Sequence, residues 1–429
     1  MDRRAFLMSV AGLGVTPQPQ SGASGPADPP PAAPLASSSL AVDPAVELVK
    51  GEVRARAIAA GFDPKRVNAI LDPLTPDPRV LTLQSRQPEL SRPIGDYVQG
   101  AVTAARIAKG QQRLAELPGL GEVAARYGVQ SEILVAVWGM ETSFGAIQGD
   151  YDVFRSLFTQ AVQGRRRDWA EGQMIAAFRI VFEGHASASQ LKGSWAGAMG
   201  QTQFMPEDYL NFAVDGDGDG RRDIWGSPLD ALASTANFLS RKAAWRASER
   251  WAREVILPSG FDYGLSEGPK QAWAAWQALG VRMADGGPVS AADAGEVAQL
   301  LLPQGWRGPA FLAWPNHFAI RVYNNSVAYA LAVGLIADGV AGRPPLVTPW
   351  PKDPPLHLED RIAAQASLKA LGFDPGAQDG AFGLNTRAAT RSWQRARGLP
   401  ADGYLTLDLI QRLRSEAAQA APPAAPLPG

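Results

Sequence analysis

Three segments of the chain hold residue types whose spacing could do chemistry. In SEILVAVWGMETSFG (131–145), Leu134, Trp138 and Glu141 follow one another at spacings of four and three, so a helix carries the carboxylate on its apolar stripe, close to where Gly145 would end it. A carboxylate short of water has its charged form disfavoured and its pKa raised, the property a general acid needs near neutral pH. The same spacing also suits a glutamate that snorkels to solvent at a helix end. GSWAGAMGQTQFMP (193–206) joins Gly/Ala-rich backbone to one hydroxyl, Ser194, two amides, Gln201 and Gln203, and a proline stop. Such a turn lets backbone approach a ligand closely, or simply lets helices pack tightly. DGDGDGRRDIWGSPLD (215–230) places Asp215, Asp217 and Asp219 at positions 1, 3 and 5 of a calcium loop, Gly220 at the sharp turn, the Arg221 carbonyl at 7 and Asp223 at 9. Gly226 stands where an EF-hand has its closing glutamate, so the loop taken alone is incomplete, and an aspartate-rich turn without metal is the other reading.

Two further matches fail on their surroundings. Gly264-Leu265-Ser266-Glu267-Gly268 has the form of a nucleophile elbow, but Gly, Pro and polar residues surround it and no strand precedes it. Ser189-Gln190-Leu191-Lys192 matches the S-x-x-K of penicillin-recognising enzymes without their S-D-N and K-T-G partners. Composition narrows the rest. No cysteine is present, which excludes disulfides, thiolate zinc sites, Cys nucleophiles and a cysteine lipid anchor; the three histidines, His185, His317 and His357, are far apart in sequence. Acid–base chemistry therefore falls to carboxylates. A net charge of −1, from 41 Lys+Arg against 42 Asp+Glu, removes the global basic field of a nucleic-acid or membrane-surface binder.

The elements that must position these residues are mostly helical. Across 45–342, Ala/Leu/Val patterns recur at helical spacing, as in AVELVKGEVRARAIAAG (45–61), QMIAAFRIVFEG (173–184) and ALASTANFLSRKAAW (231–245), which reads as one large, mostly α unit. RPPLVTPWPKDPPL (343–356) packs six prolines into fourteen residues, a semi-rigid spacer between domains. Residues 357–415 alternate short helical patterns with Asp-Gly turns at 379–380 and 402–403, suggesting a compact three-helix module, and 416–429 is a low-complexity tail. At the other end, residues 1–15 pair two arginines with an apolar run too short to span a bilayer as a mature helix. Arg3-Arg4-Ala5-Phe6-Leu7 resembles a twin-arginine export signal, although Asp2 and Met8 depart from its usual flanks, and residues 16–44 are a Pro/Ala/Ser/Gly linker expected to be disordered.

Taken in order, METSFG, the AGAMG segment, the acidic loop and IRVYNNSVAYALAVGL (320–335) make the chain resemble the lytic murein transglycosylases of the MltB type, glycoside hydrolase family 103, over roughly 45–342. The resemblance implies a lysozyme-like helical catalytic domain in which Glu141 is the sole catalytic acid and base. It implies cleavage of the MurNAc-GlcNAc bond of peptidoglycan with 1,6-anhydromuramyl ends, and no cofactor for the chemistry. Matching positions assign substrate contacts to Ser194, Gln203, Tyr323, Asn324, Tyr329, Arg165 and Arg166, and make Asp230 the late closing ligand of a structural calcium site with Asp215, Asp217, Asp219 and Arg221. Ser85 and Phe238 depart from residues found in relatives, an aspartate and a tyrosine respectively. The segment 368–413, with LGF, DGAFGLNT and SWQRARGL, resembles the PG-binding-1 type peptidoglycan-binding domain, Asp379, Gly380, Phe382, Gly383 and Thr386 fixing its turns. The expected protein is an exported, monomeric, periplasmic enzyme without a membrane anchor. Its partners are peptidoglycan strands and, among proteins, those of cell-wall synthesis or the divisome. The rivals are a hydrolytic muramidase with a second carboxylate and a non-catalytic wall-binding scaffold.

Overall fold

The computed structural model describes residues 43–85, 92–164 and 166–420; the signal-like segment, nearly all of the 16–44 linker, Arg165 and the last nine residues lie outside them. Helices dominate, as the periodicity predicts. Local chemistry starts many of them: Asp43, Asp63, Thr103, Asp152, Ser227 and Ser326 each accept a hydrogen bond from a first-turn N–H, and prolines follow three of these caps. The helix Ser131–Thr142 is buried almost all round, from Ile133 to Gly139 and again at Glu141 and Thr142. A helix apolar on every side belongs in the centre of a bundle, and the helices Ala104–Glu116, Leu120–Tyr127, Pro228–Arg241 and Val327–Val340 pack around it. Among the described residues, no helix is long and apolar enough to cross a membrane.

Between residues 252 and 313 the mostly α unit carries a small sheet that the sequence reading did not contain. After a two-stranded pair, β1 (Tyr151–Asp152) with β2 (Lys192–Gly193), the chain builds a five-stranded antiparallel sheet from β3 (Ala252–Ile256), β4 (Gln271–Ala272), β5 (Arg282–Met283), β6 (Val297–Leu301) and β7 (Ala310–Ala313), in the order β4-β6-β7-β3-β5. It has its own core of Val255, Trp276, Leu300, Leu312 and Trp314. The strands escape sequence reading because they are two to five residues long and β7 is buried at every position, so no polar alternation marks it.

His317 lies where this sheet meets the helices. It is fully buried, its ring stacks on Trp251 at 6.1 Å, and burial, reinforced by Arg321 and Lys270, pushes its pKa down to about 3. An unfolded histidine titrates near 6.5, so below that pH the unfolded chain takes up a proton that the folded chain refuses. Stability present above about pH 6.5 is lost as pH falls toward 3, on the order of 3 kcal/mol between pH 7 and pH 4. Urea unfolding at those two pH values should show His317→Phe losing correspondingly less stability on acidification than the parent. Equal losses in both proteins would remove His317 as a source of acid sensitivity.

The C-terminal module has the expected three helices, Leu358–Ala370, Leu384–Ala396 and Leu407–Ala420, around Leu368, Trp393, Ile410 and Leu413; the last helix runs beyond residue 415, where the tail was expected to begin. Both Asp-Gly turns are held alike. Gln365 accepts from the Gly380 N–H at 2.7 Å and Gln394 from the Gly403 N–H at 2.8 Å, each glycine sitting at positive φ. Thr386 joins the first turn through Gln365 and the Pro375 carbonyl. The proline-rich linker is not a free spacer: Glu254 accepts the N–H groups of Val347 and Thr348, while Asp353 accepts from Gln304, Arg307 and Tyr404. The module itself docks on the sheet. Glu267 receives Arg387 at 2.8 Å and Arg391 at 3.2 Å, and Asp402 accepts the Trp306 N–H at 2.9 Å.

Candidate active site

Glu141 occupies the last turn of Ser131–Thr142 and is 4 % exposed. The chain leaves that helix through three successive left-handed residues, Ser143, Phe144 and Gly145, with φ of 52°, 62° and 81°. This reversal folds Phe144 back under its own helix, edge-on to Trp138 at 5.8 Å, in space available because residue 139 is glycine: a Cβ there would stand 2.7 Å from the phenyl ring. A Cβ on Gly145 would meet the Gln201 side-chain oxygen at 2.6 Å. Thr142 ties the turn to the small-residue segment, donating its hydroxyl to the Gln201 carbonyl at 2.6 Å and accepting the Gly145 N–H at 2.9 Å. The glutamate is therefore fixed in the interior and does not reach out as a snorkelling end-residue would.

Its decisive neighbour arrives from 188 residues away. The Tyr329 hydroxyl donates to Glu141 Oε1 at 2.7 Å. Tyr329 is fully buried, and burial together with the Glu141 charge raises its pKa well above the usual 10, so the phenol stays a donor. The segment around it is a helix junction: Tyr323 ends Pro315–Tyr323, and Ser326 caps Val327–Val340 by accepting the Tyr329 N–H. Tyr323 donates to the Thr202 carbonyl. Tyr323 and Tyr329 thus each hold a partner within the protein, Tyr323 tying down the 199–204 turn and Tyr329 the Glu141 carboxyl group.

The 193–206 segment forms a tight loop of two isolated bridges, Gly193 with Met199 and Met199 with Phe204. Ser194 closes it, its Oγ accepting the Ala198 N–H at 3.1 Å. Gln203, at a left-handed φ of 56°, donates to the carbonyls of Gln148 and Gly200, both at 3.0 Å, and Gln148 in turn donates to the Trp225 carbonyl. The side-chain oxygens of Gln203 and Asn324 are buried and accept no hydrogen bond among the described residues. Buried polar atoms are nearly always paired, so these two amide oxygens are the groups of the set best placed to receive donors from a ligand. Arg166 is exposed at the start of Arg167–Phe182 with its guanidinium 3.7 Å from the Trp169 ring centre; its neighbour Arg165 lies outside the described residues. Sequence reasoning missed Thr142 and Gln148, whose only signal was proximity to Glu141 in the chain.

The acidic loop brings Asp215, Asp217, Asp219 and Asp230 together, with one oxygen from each lying within 4.8 Å of the others. Asp230 is fully buried at the start of Pro228–Arg241, accepting the N–H groups of Gly216 at 2.8 Å and Asp223 at 2.6 Å. Burial raises its pKa and Asp217 adds to the rise; Asp215, bonded by the Gly220 and Gly218 N–H groups, has its pKa lowered. Asp223 does not join the set: its Oδ1 accepts the N–H groups of Trp225 and Gly226 and caps its own turn. Arg221 contributes its backbone to the same loop, its N–H bonded to Asp219 at 2.8 Å. Four hard oxygen donors this close fit a calcium ion.

Residues 46–338 match the transglycosylase SLT domain family. The chain belongs to that family. Residues 357–413 match a peptidoglycan binding domain. Among curated relatives, membrane-bound lytic murein transglycosylase B of Escherichia coli K12 is 31 % identical over 216 residues, which is 50 % of this chain and 58 % of the relative. Among solved structures, SltB3 from Pseudomonas aeruginosa in complex with NAG-anhNAM-pentapeptide is 48 % identical with a TM-score of 0.82, covering 87 % of this chain and 100 % of that one. The Escherichia coli lytic transglycosylase SLT35 in complex with calcium is 27 % identical with a TM-score of 0.59, covering 71 % of this chain and 94 % of its own. The SLT-family assignment agrees with the mainly helical fold and with the two modules read from sequence.

Proposed function

We propose that this SLT-family chain is a peptidoglycan lytic transglycosylase with Glu141 as its single acid and base. The observation that carries this is the buried Glu141 carboxyl group bonded by the Tyr329 hydroxyl. Protonated Glu141 gives its proton to the glycosidic oxygen as the bond from the muramic-acid C1 breaks. The resulting carboxylate takes the proton of that sugar's own 6-hydroxyl, whose oxygen closes on C1. The proton lent is recovered and no water enters, so the second carboxylate that hydrolytic glycosidases use is not needed. Gln203 and Asn324, through their unpaired oxygens, would accept from N–H or O–H groups of the sugar and its substituents, with Ser194 holding the loop between them and Arg166 at the periphery. Mass spectrometry of soluble products from isolated murein tests this reading. Anhydromuropeptides, lighter by one water than hydrolytic products, are expected; reducing-end products would mark a muramidase, and no release would mark a scaffold.

The four aspartates of the acidic loop would hold calcium, and bound calcium would neutralise their mutual repulsion and set the loop's shape, leaving the chemistry to Glu141. At a hundredfold excess over its Kd, a ligand of the folded state adds about 2.7 kcal/mol of stability. Thermal unfolding in millimolar calcium should thus occur several degrees higher than in chelator, with the difference absent in Asp230→Asn; coincident curves for the parent would reject the site. The twin-arginine-like start supports a periplasmic location, where murein lies.

A further inference from the structure

Of the twelve tryptophans, all within the described residues, Trp306 alone is exposed, at 46 %. Tryptophan and tyrosine are enriched at interfaces where one end of the ring is apolar and the other wet. Trp306 is set on a built support: its ring lies 5.8 Å from that of Tyr263 at 35°, and Tyr263 packs on Phe261 of the sheet core at 6.1 Å. Its backbone is pinned across the seam by Asp402 of the C-terminal module, and the preceding Gly305, at φ 71°, has no room for a Cβ, which would stand 2.6 Å from that carboxylate. Beside the rings, Asp262 and Arg395, one from each module, form a loose pair at 3.7 Å with both side chains about 60 % exposed. The loop that carries Asp262 and Tyr263 ends in Glu267, held at a left-handed φ of 58° with two module arginines on its carboxylate.

We propose that Trp306 and Tyr263, flanked by Asp262 and Arg395, form a second glycan-binding platform at the seam between the sheet and the C-terminal module, apart from the Glu141 site. A pyranose ring presents a face of C–H bonds that packs on an aromatic plane, while its edge hydroxyls require donors and acceptors, here the guanidinium and the carboxylate. The occupant is a strand of the wall polymer, and this rests on the proposed function: a chain that cuts a long polysaccharide holds substrate on both sides of the cut. Arg395 and the neighbouring exposed Arg307 also suit a polymer bearing lactyl and peptide carboxylates. Because the platform takes residues from both modules, it exists only while they are docked. This gives the G-x-S-x-G match at 264–268 a role unrelated to a nucleophile.

The test uses full-length protein carrying Glu141→Gln, sedimented with isolated murein sacculi and titrated with peptide-free glycan strands. Trp306→Ala is expected to weaken both interactions about tenfold, with Trp306→Phe within about threefold of the parent. Trp306→Ala retains the backbone N–H that binds Asp402, so its thermal midpoint should match the parent's. Unchanged binding in Trp306→Ala, or equal weakening in Trp306→Phe, overturns the platform. Glycan strands should also change a component of tryptophan emission that Trp306→Ala lacks, and its absence in the parent likewise overturns it. Product analysis of the protein with Glu141 intact is run in parallel: a chain that binds through Trp306 but releases no anhydromuropeptides keeps the platform and loses the transglycosylase reading.

Discussion

Glu141→Gln is expected to lower anhydromuropeptide release from murein by about 10⁴-fold while leaving the thermal midpoint nearly unchanged. A positioned general acid or base contributes typically 10² to 10⁴, and here one side chain serves both half-reactions, which puts the loss at the upper end. The amide matches the carboxyl group in shape and retains an oxygen to accept the Tyr329 hydroxyl at the position Oε1 holds, so the interior loses a proton source without gaining a cavity. Initial rates by chromatography of soluble muropeptides, with a melting curve on the same preparation, separate chemistry from folding. More than a tenth of parental activity in the variant would remove Glu141 from the mechanism.

Tyr329→Phe should reduce turnover by between ten- and a hundredfold and move the pH profile. The phenol donates to the Glu141 carboxyl group, and a donor to a carboxylate favours its charged form. With that donor lost, the alkaline limb of the profile, where the acid loses its proton, is expected at higher pH. The variant also leaves a buried carboxylate short of a partner, at about 1 to 3 kcal/mol of stability. If Tyr329 served only as packing, its loss would lower the melting temperature without displacing that limb.

The helical body was legible because its signals are local. Apolar spacing around Glu141 and the Asp-Gly turns act within a few residues, and each appears in the structure where the sequence places it. What was not legible depends on distance or on absent pattern. The bond between Tyr329 and Glu141 spans 188 residues, and nothing in the composition of either helix specifies it. Asp223 fits a calcium-loop position by spacing, yet a nearer pair of N–H groups claims its side chain. Strands as short as β4 and β5, two residues each, carry no period to read. Glu267 was set aside with a failed motif, and only the fold shows it meeting Arg387 and Arg391.

The seating of the proline-rich segment, whose Val347 and Thr348 bond Glu254 and whose own Asp353 bonds Gln304, would change what the C-terminal module does for the proposed reaction. A module on a loose leash raises encounter frequency and lets the acid sample every bond within reach. On the proposed function, one clamped to the sheet would work as a ruler: once it grips the wall, bonds at one set offset from the grip would be presented to Glu141. The repeat of the polymer then decides which of them are in phase, and cutting sites along a strand should be spaced by whole repeats counted from the anchor.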